Sequence, residues 1–566
     1  MKMVFERDTV KRLTVVLQIA VITFLCYLTL MPVENRWGQA DVILIKTIPV
    51  LCVLGVLAPL LCKEKIYITA GDLLLLLFAL YYGVHSYWGN DYPCSTQCIR
   101  LASVFLLYIS LRLLFSGGRI NQWILVAILL VCGSVEAIWG GIQMVGGNSA
   151  RVYQVTGNFI NPGPYSAYLA VGATIGLTIL ANNNKNKIVF VAVALILLVI
   201  PSTWSRAAII SVCLPLLWLF RERYYRYRFV IWGVLSLLAC VFFFIKKGSA
   251  VGRLVIWTAS LVSWRKSPLF GVGTGGFVHS CSEGIAEMYN NHLLPLFLNS
   301  AGVADNAFNL YLKILVEQGA VGLILFVVIL VVFFKRLHSA SRSLFYGLIA
   351  LAIFSMFSYP LELLPYRIIA VTVMAWSESV RKQSFFFSGN RIIAVLTFCF
   401  TLVSGILIKN EAVDRYKADR EAKSLSCQKG DDLLDDFYEL LPFEKDNPRF
   451  LYDFATALSE SGRLNESNTI LNLGCKVSAD PIFYILLGNN YNKMNQPNET
   501  ETAYLKAFCV LPNRIYPLYQ LMTFYSEKGQ DEKALNMANE ILEITPKVAS
   551  PATAEMKMKA KNYLLK

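Results

Sequence analysis

Two arginines stand out because their neighbours are mostly apolar or small. Arg206 follows STWS (202–205) and opens an apolar run. A guanidinium fork there could take phosphate oxygens, a task arginine does better than lysine; snorkelling to a membrane interface is the plainer alternative. Arg253 and Trp257 lie one helical turn apart and would share a face. The stretch PLFGVGTGGF (268–277) could wrap backbone amides around an anion. It is not a nucleotide loop, because no strand precedes it and no G-K-[ST] follows. In ADNAFNLYLKILVEQG (304–319), Asn309, Lys313 and Glu317 share one helical face, with Asp305 and Asn306 at its start. Asp305 suits an N-cap; as a general base it would need burial to lift it from about 3.9. A fourth segment, VTGNFINPGPYSAYLA (155–170), breaks the backbone around Asn161 just before an apolar run. Irregular backbone at that depth must be buried in protein or line a wet cavity.

The elements that position these residues read as membrane spans. The chain of 566 residues is 56% hydrophobic, above the roughly 45–50% of soluble domains. About thirteen spans are expected, near 13–31, 42–61, 68–87, 98–115, 122–145, 164–181, 187–201, 206–220, 229–245, 318–334, 344–361, 366–380 and 391–408. The first reads as a retained helix rather than a cleaved signal. Basic residues fall in alternate loops, so the positive-inside rule puts the N-terminus in the cytoplasm. An odd number of spans then puts the C-terminus outside, together with all four segments above. This distribution accounts for much of the +14 formal charge and excludes a nucleic-acid reading. Two outer loops are long, about 146–163 and 246–306. The 13 cysteines show no C-x-x-C metal-ligand spacing. Cys94 and Cys98 flank a span junction on the outer side, where a disulfide is possible.

After residue 409 the composition changes. GRLNE (462–466), NQPNE (495–499) and GQDEK (529–533) recur in register, and Pro481, Pro512 and Pro546 close the units. This tail (410–566) resembles tetratricopeptide repeats, helix–turn–helix units of about 34 residues. The expected fold is therefore all-α: a polytopic membrane helix bundle (1–409) followed by an α-solenoid of helix pairs.

The outer segments, in their order, resemble the O-antigen ligase and polymerase superfamily over roughly residues 150–380. The resemblance lies in G-x-F-x-N-P-x-x-x-S at 157–166, the SR pair at 205–206, GR-x-x-x-W…SPLFGVGTGGF, and N-L-Y-L-x-x-x-x-E-x-G at 309–319. It implies a GT-C-like glycosyltransferase of the bacterial inner membrane, with the repeat tail in the periplasm. The donor would be a glycan on a polyprenyl diphosphate, and the acceptor a hydroxyl on lipid, glycan or protein. The resemblance implies no metal and no cofactor. Arg206 and Arg253 fit the family's diphosphate-binding arginines, with Asn161, Trp257, Asn306, Asn309 and Glu317 in support. One departure matters: the family's ligases typically carry a histidine where this chain has Phe308. Asp305, His279 and His292 are the candidates to replace it as base. The competing readings are a flippase of the same lipid-linked glycan, or a non-catalytic scaffold whose repeats recruit a protein partner.

Overall fold

The computed structural model describes the chain apart from residues 1, 35, 63–66, 89, 118–119, 147–152, 183–185, 230–232, 234–246, 381–390, 427–432, 547–549 and 566. The expected span at 229–245 thus lies almost wholly outside the described residues. Among these the protein is all-α. The membrane part contains α1 (Lys2–Thr29), α2 (Gln39–Cys62), α3 (Ala70–Tyr87), α4 (Ser95–Ser116), α5 (Gln122–Gly146), α6 (Pro162–Ala181), α7 (Lys187–Val199) and α8 (Arg206–Leu219). Then come α9 (Lys247–Trp264), α10 (Phe277–Asn290), α11 (Leu310–Ala340), α12 (Arg342–Phe354), α13 (Leu364–Val380) and α14 (Arg391–Leu425). Six described helices (α1, α2, α4, α5, α6 and α11) are long and apolar enough to cross a membrane, and three shorter apolar ones correspond to α7, α8 and α12. The protein is a multi-pass membrane protein.

Helix α6 is the centre of the bundle. Its apolar window is 83% buried, against 56% for the next most buried candidate span. It packs on α5, α7, α8 and α12. Small residues make this possible: a Cβ on Gly172 would already touch Ile196, and one on Gly176 would overlap Val193. Close helix approach through small residues is a major route to packing where both solvent and side chains are apolar.

The described part of the connection into α6 is irregular, and residues 156–158 are held by side chains of α5. Gln143 of α5 accepts from the amides of Thr156 (2.9 Å) and Gly157 (2.8 Å) and donates to the Gly157 carbonyl (3.0 Å). The Glu136 carboxylate accepts from the amide and side chain of Asn158 (3.3 and 2.9 Å). Side chains of α5 thus supply partners that water cannot supply at this depth.

Helix α11 is broken near its first quarter. Gly319 has φ 66° and ψ −171°, a backbone region essentially reserved for glycine. The break frees backbone groups, and the glycine-rich segment 268–273 takes them up. Val272 and Gly273 donate to the Val316 and Glu317 carbonyls (2.9 and 3.0 Å). Ala320 and Val321 donate in return to the carbonyls of Pro268 and Leu269 (2.9 and 3.1 Å). The two backbones approach so closely that a Cβ on Gly271 would lie 2.5 Å from the Glu317 carbonyl, and one on Gly319 would overlap Leu269. The glycines at 271 and 319 therefore serve a backbone-to-backbone stitch, not the anion cradle that the sequence suggested for this segment.

Among the described residues, eight helices follow α14 in the tail: Leu433–Glu444, Pro448–Glu460, Leu464–Val477, Ile482–Lys493, Pro497–Val510, Tyr516–Glu527, Asp531–Glu543 and Pro551–Leu564. Three turns are built alike. Gly462, Asn495 and Gly529 all have positive φ. The residue after each donates back five positions, Arg463 to Leu458, Gln496 to Tyr491 and Gln530 to Tyr525, at 2.8–2.9 Å. Helix α14 runs without interruption through residue 409, so the boundary expected at 409/410 falls inside one helix.

Gly319→Ala should destabilise the protein by more than the about 1–3 kcal/mol of an ordinary strained backbone position, because its Cβ also meets the stitched strand. Gly83→Ala places its Cβ in open space within α3 and should be neutral or stabilising by about 0.5–1 kcal/mol. Thermal melting of both variants in detergent checks the pair. Equal melting temperatures would mean that the stitch carries no stability.

Candidate functional site

The loop between α10 and α11 carries Asp305, Asn306 and Asn309, and α9 holds two of its residues, Ala307 and Phe308. Trp257 Nε1 donates to the Ala307 carbonyl (3.0 Å). One turn earlier on α9, the Arg253 guanidinium lies over the Phe308 ring, 5.2 Å from its centroid. The shared face of Arg253 and Trp257 thus grips this loop. Phe308 adopts φ 49° and meets the Tyr359 ring edge-on at 5.7 Å. Tyr359 is itself within electrostatic reach of Arg253, Tyr153 and Glu362.

The two arginines lie within electrostatic reach of each other. Burial, and then the like charge of Arg206, hold the Arg253 guanidinium below its usual range. No carboxylate forms an ion pair with Arg253 among the described residues. Arg206 is positioned by a short turn: Trp204 takes a left-handed conformation (φ 51°), and Ser205 caps α8 by accepting from Ala208 (3.3 Å). Like charges within reach of each other repel, and an anionic group beside them relieves that repulsion.

Asp305 is not the cap of α11. That role belongs to Asn309, whose side chain accepts from Leu312 (3.1 Å). Asp305 keeps part of its surface in water. The protein packed round it, and then the carboxylate of Asp480 from the tail, raise its pKa. It therefore faces the tail side of the site. Asn306 turns the other way and donates to Glu362 (3.1 Å). Glu362 also pairs with Lys313 (3.0 Å), which explains why Lys313 shares a face with Asn309.

The other candidates have local work. Asn161 caps α6, accepting from Gly163 (2.8 Å). Glu317 is 4% exposed and accepts from Gln97 (3.3 Å), beside the stitch. His279 Nδ1 bonds the Cys475 carbonyl of the tail (3.0 Å); a carbonyl only accepts, so Nδ1 carries the proton. His292 sits exposed in a left-handed turn. Cys94 and Cys98 are free thiols with sulfurs 3.6 Å apart, not a disulfide. Among the described residues no group of His, Cys, Asp or Glu is arranged to hold a metal ion.

Sequence reasoning missed Tyr359, Glu362 and Arg100. Tyr359 was hidden in a supposed single span at 344–361, and Glu362 followed directly at its end. The helix instead ends at Phe354 and a 3-10 turn follows at Pro360–Glu362, tied by Arg367 Nε to the Leu361 carbonyl (2.8 Å). The Tyr-Pro-Leu-Glu step was the available signal, since proline disfavours helical backbone in the residue before it.

Residues 165–327 match the family model described as O-antigen ligase. The matched segment runs from the start of α6 through the break in α11 and includes Arg206, Arg253 and the Asp305–Asn309 loop. A search of curated proteins finds no match. Together with the apolar helix bundle, this match over residues 165–327 supports an O-antigen ligase-like membrane protein of the O-antigen ligase and polymerase superfamily.

Proposed function

We propose that the protein transfers a glycan from a polyprenyl diphosphate to an acceptor hydroxyl at the outer face of the inner membrane. The supporting observation is the pairing of Arg206 with Arg253 beside the Phe308–Tyr359 rings. The arginines bind the diphosphate and stabilise the negative charge that grows on it as the glycosidic C–O bond breaks. The acceptor approaches from the tail side, where Asp305 takes its hydroxyl proton. The raised pKa of Asp305 moves that carboxylate towards the range useful for a base. The helical-repeat tail, which we read as tetratricopeptide-like and periplasmic, presents or recruits the acceptor. The flippase reading is weaker. The in-span carboxylate of Asp72 is spent on a capping box with Thr69 and a pair with Arg112, and Glu136 is spent on Asn158.

Arg253→Ala should lower transfer about 100- to 1,000-fold, the usual effect of removing one donor to a developing oxyanion. Arg253→Lys should rescue little of it, because an ammonium lacks the planar fork. Transfer of extracted lipid-linked glycan by purified variants measures both, and a fully active lysine variant would sink the fork-to-diphosphate role.

Asp305→Asn should fold normally, because Asn309 and not Asp305 caps α11. If Asp305 is the base, the variant loses at least about 100-fold of transfer. A base works deprotonated, so activity of the parent should fall as pH drops through a pKa above the ordinary aspartate range. The variant should lose that acid limb. A pH–rate profile unchanged by the substitution would exclude the role.

The orientation is testable independently. A reporter active only in the cytoplasm, fused after Lys566, should stay silent; strong activity would put the whole site on the opposite face.

A further inference from the structure

A small cavity of about 150 Å³ opens beside the arginine pair without including it. Its walls come from the α1–α2 connection (Met31–Glu34), the start of α2 (Ala40, Asp41), Arg100 of α4, Asn306, and the turn from Tyr359 to Pro365. Neither the family match, which begins at residue 165, nor the sequence motifs reach the first three of these walls.

The chemistry of the lining differs from that of the arginine pair. Asp41 and Glu362 are carboxylates, and Glu34 lies at the edge. Such a wall repels phosphate. Arg100 does not reverse this, since its Nε already faces Asp41 (3.7 Å) and its guanidinium lies over the buried Trp37 ring. Yet that Nε is buried and has no hydrogen-bond partner, and a buried donor left unpaired is costly. The Asp41 and Glu362 carboxylates, the Arg100 guanidinium, the Asn306 amide and the Tyr359 ring therefore line one space. A ligand that both donates and accepts at closely spaced positions meets all of them. The volume lies below the about 300–1,000 Å³ of pockets that hold drug-sized molecules, which suits one ring and not a chain. Tyr359 belongs to both places, lining the cavity while its ring meets the Phe308 that lies under Arg253.

We propose that this cavity binds one sugar residue of the lipid-linked glycan through its hydroxyls, with Arg100 as the principal donor and Asp41 and Glu362 as acceptors. The inference rests on the diphosphate reading above, because Tyr359 then divides a phosphate subsite from a sugar subsite on the same donor. The acidic wall keeps the diphosphate on the arginine side and so fixes which way round the donor lies.

The test compares two lipids on the purified full chain in detergent by native mass spectrometry. One is undecaprenyl diphosphate alone. The other is the polyprenyl-diphosphate-linked glycan extracted from the cells that make the protein. The parent chain should hold the glycan-bearing lipid at least about tenfold more tightly, the scale of one hydrogen bond to a charged group. Arg100→Met removes the donor. Val33→Phe fills the cavity without removing any polar group, and so covers the case in which the arginine variant misfolds. Either should bring the ratio of the two affinities close to one while leaving the bare lipid within twofold of the parent. An unchanged ratio overturns the sugar subsite, and so does a proportional loss of both lipids. Arg253→Ala tests the underlying reading separately. If that variant keeps the bare lipid, the diphosphate assignment fails, whereas the ratio reports on the cavity alone.

Discussion

The half of this molecule that carries the candidate site depends on one exchange of backbone hydrogen bonds. Where α11 breaks at Gly319, four bonds pass between it and residues 268–273. Around this exchange Thr274 joins α3 and α11, accepting from Gln318 (2.9 Å) and bonding Ser86 (2.7 Å). Asn90 donates to the Thr274 carbonyl (3.0 Å). The stitch fixes the end of α9 relative to the start of α11. Arg253 and Trp257 stand on the first helix, and Asn309 and Lys313 on the second. Their grip on residues 305–309 has meaning only because those two helices cannot slide past each other.

The second constraint is the tail, which closes over the same loop. Asn513 donates to the carbonyls of Asn299 and Ala301 (3.1 and 2.7 Å). Lys506 pairs with Glu283 of α10 (2.6 Å). Ala479 and Leu511 belong to the apolar cluster that contains Val255, Phe277 and Ala304. On the opposite side Arg36, between α1 and α2, is held by Asp419, Glu444 and Asp446. The loop carrying Asp305 is therefore bounded by α9 on one side and by the tail on the other, and the pKa of Asp305 registers both.

Much of this could be read from the sequence, and what could not has physical reasons. Apart from the segment outside the described residues, the apolar runs coincide with helices because burial and backbone satisfaction both demand helix there. The tail period was legible because a left-handed turn residue must recur wherever the helix pair recurs, as at Gly462, Asn495 and Gly529. The i, i+4 relation of Arg253 and Trp257 was legible too, but their partners were not, since Ala307 and Phe308 lie some fifty residues away. The glycines of PLFGVGTGGF misled because close approach to another backbone and close approach to an anion demand the same absence of a Cβ. Tyr359 and Glu362 stayed hidden because a run of apolar residues conceals a break inside it. Arg100 gave no signal, because Trp37 and Asp41, which it meets, lie about sixty residues away in the chain.

Helix α14 leads from the membrane into the tail as one piece of 35 residues, about 52 Å at the rise of an α-helix. Such a rod transmits rotation as well as distance. One residue inserted near position 412 would swing everything beyond it by about 100°, carrying Asn513 and Lys506 off the surface they grip. The tail is thus indexed to the bundle like a key on a shaft: it tolerates changes on its outward face far more readily than any change in the length of its stem. Descendants of this architecture that exchange tails must preserve helical phase, and that requirement narrows which repeat arrays can be grafted onto such a membrane domain.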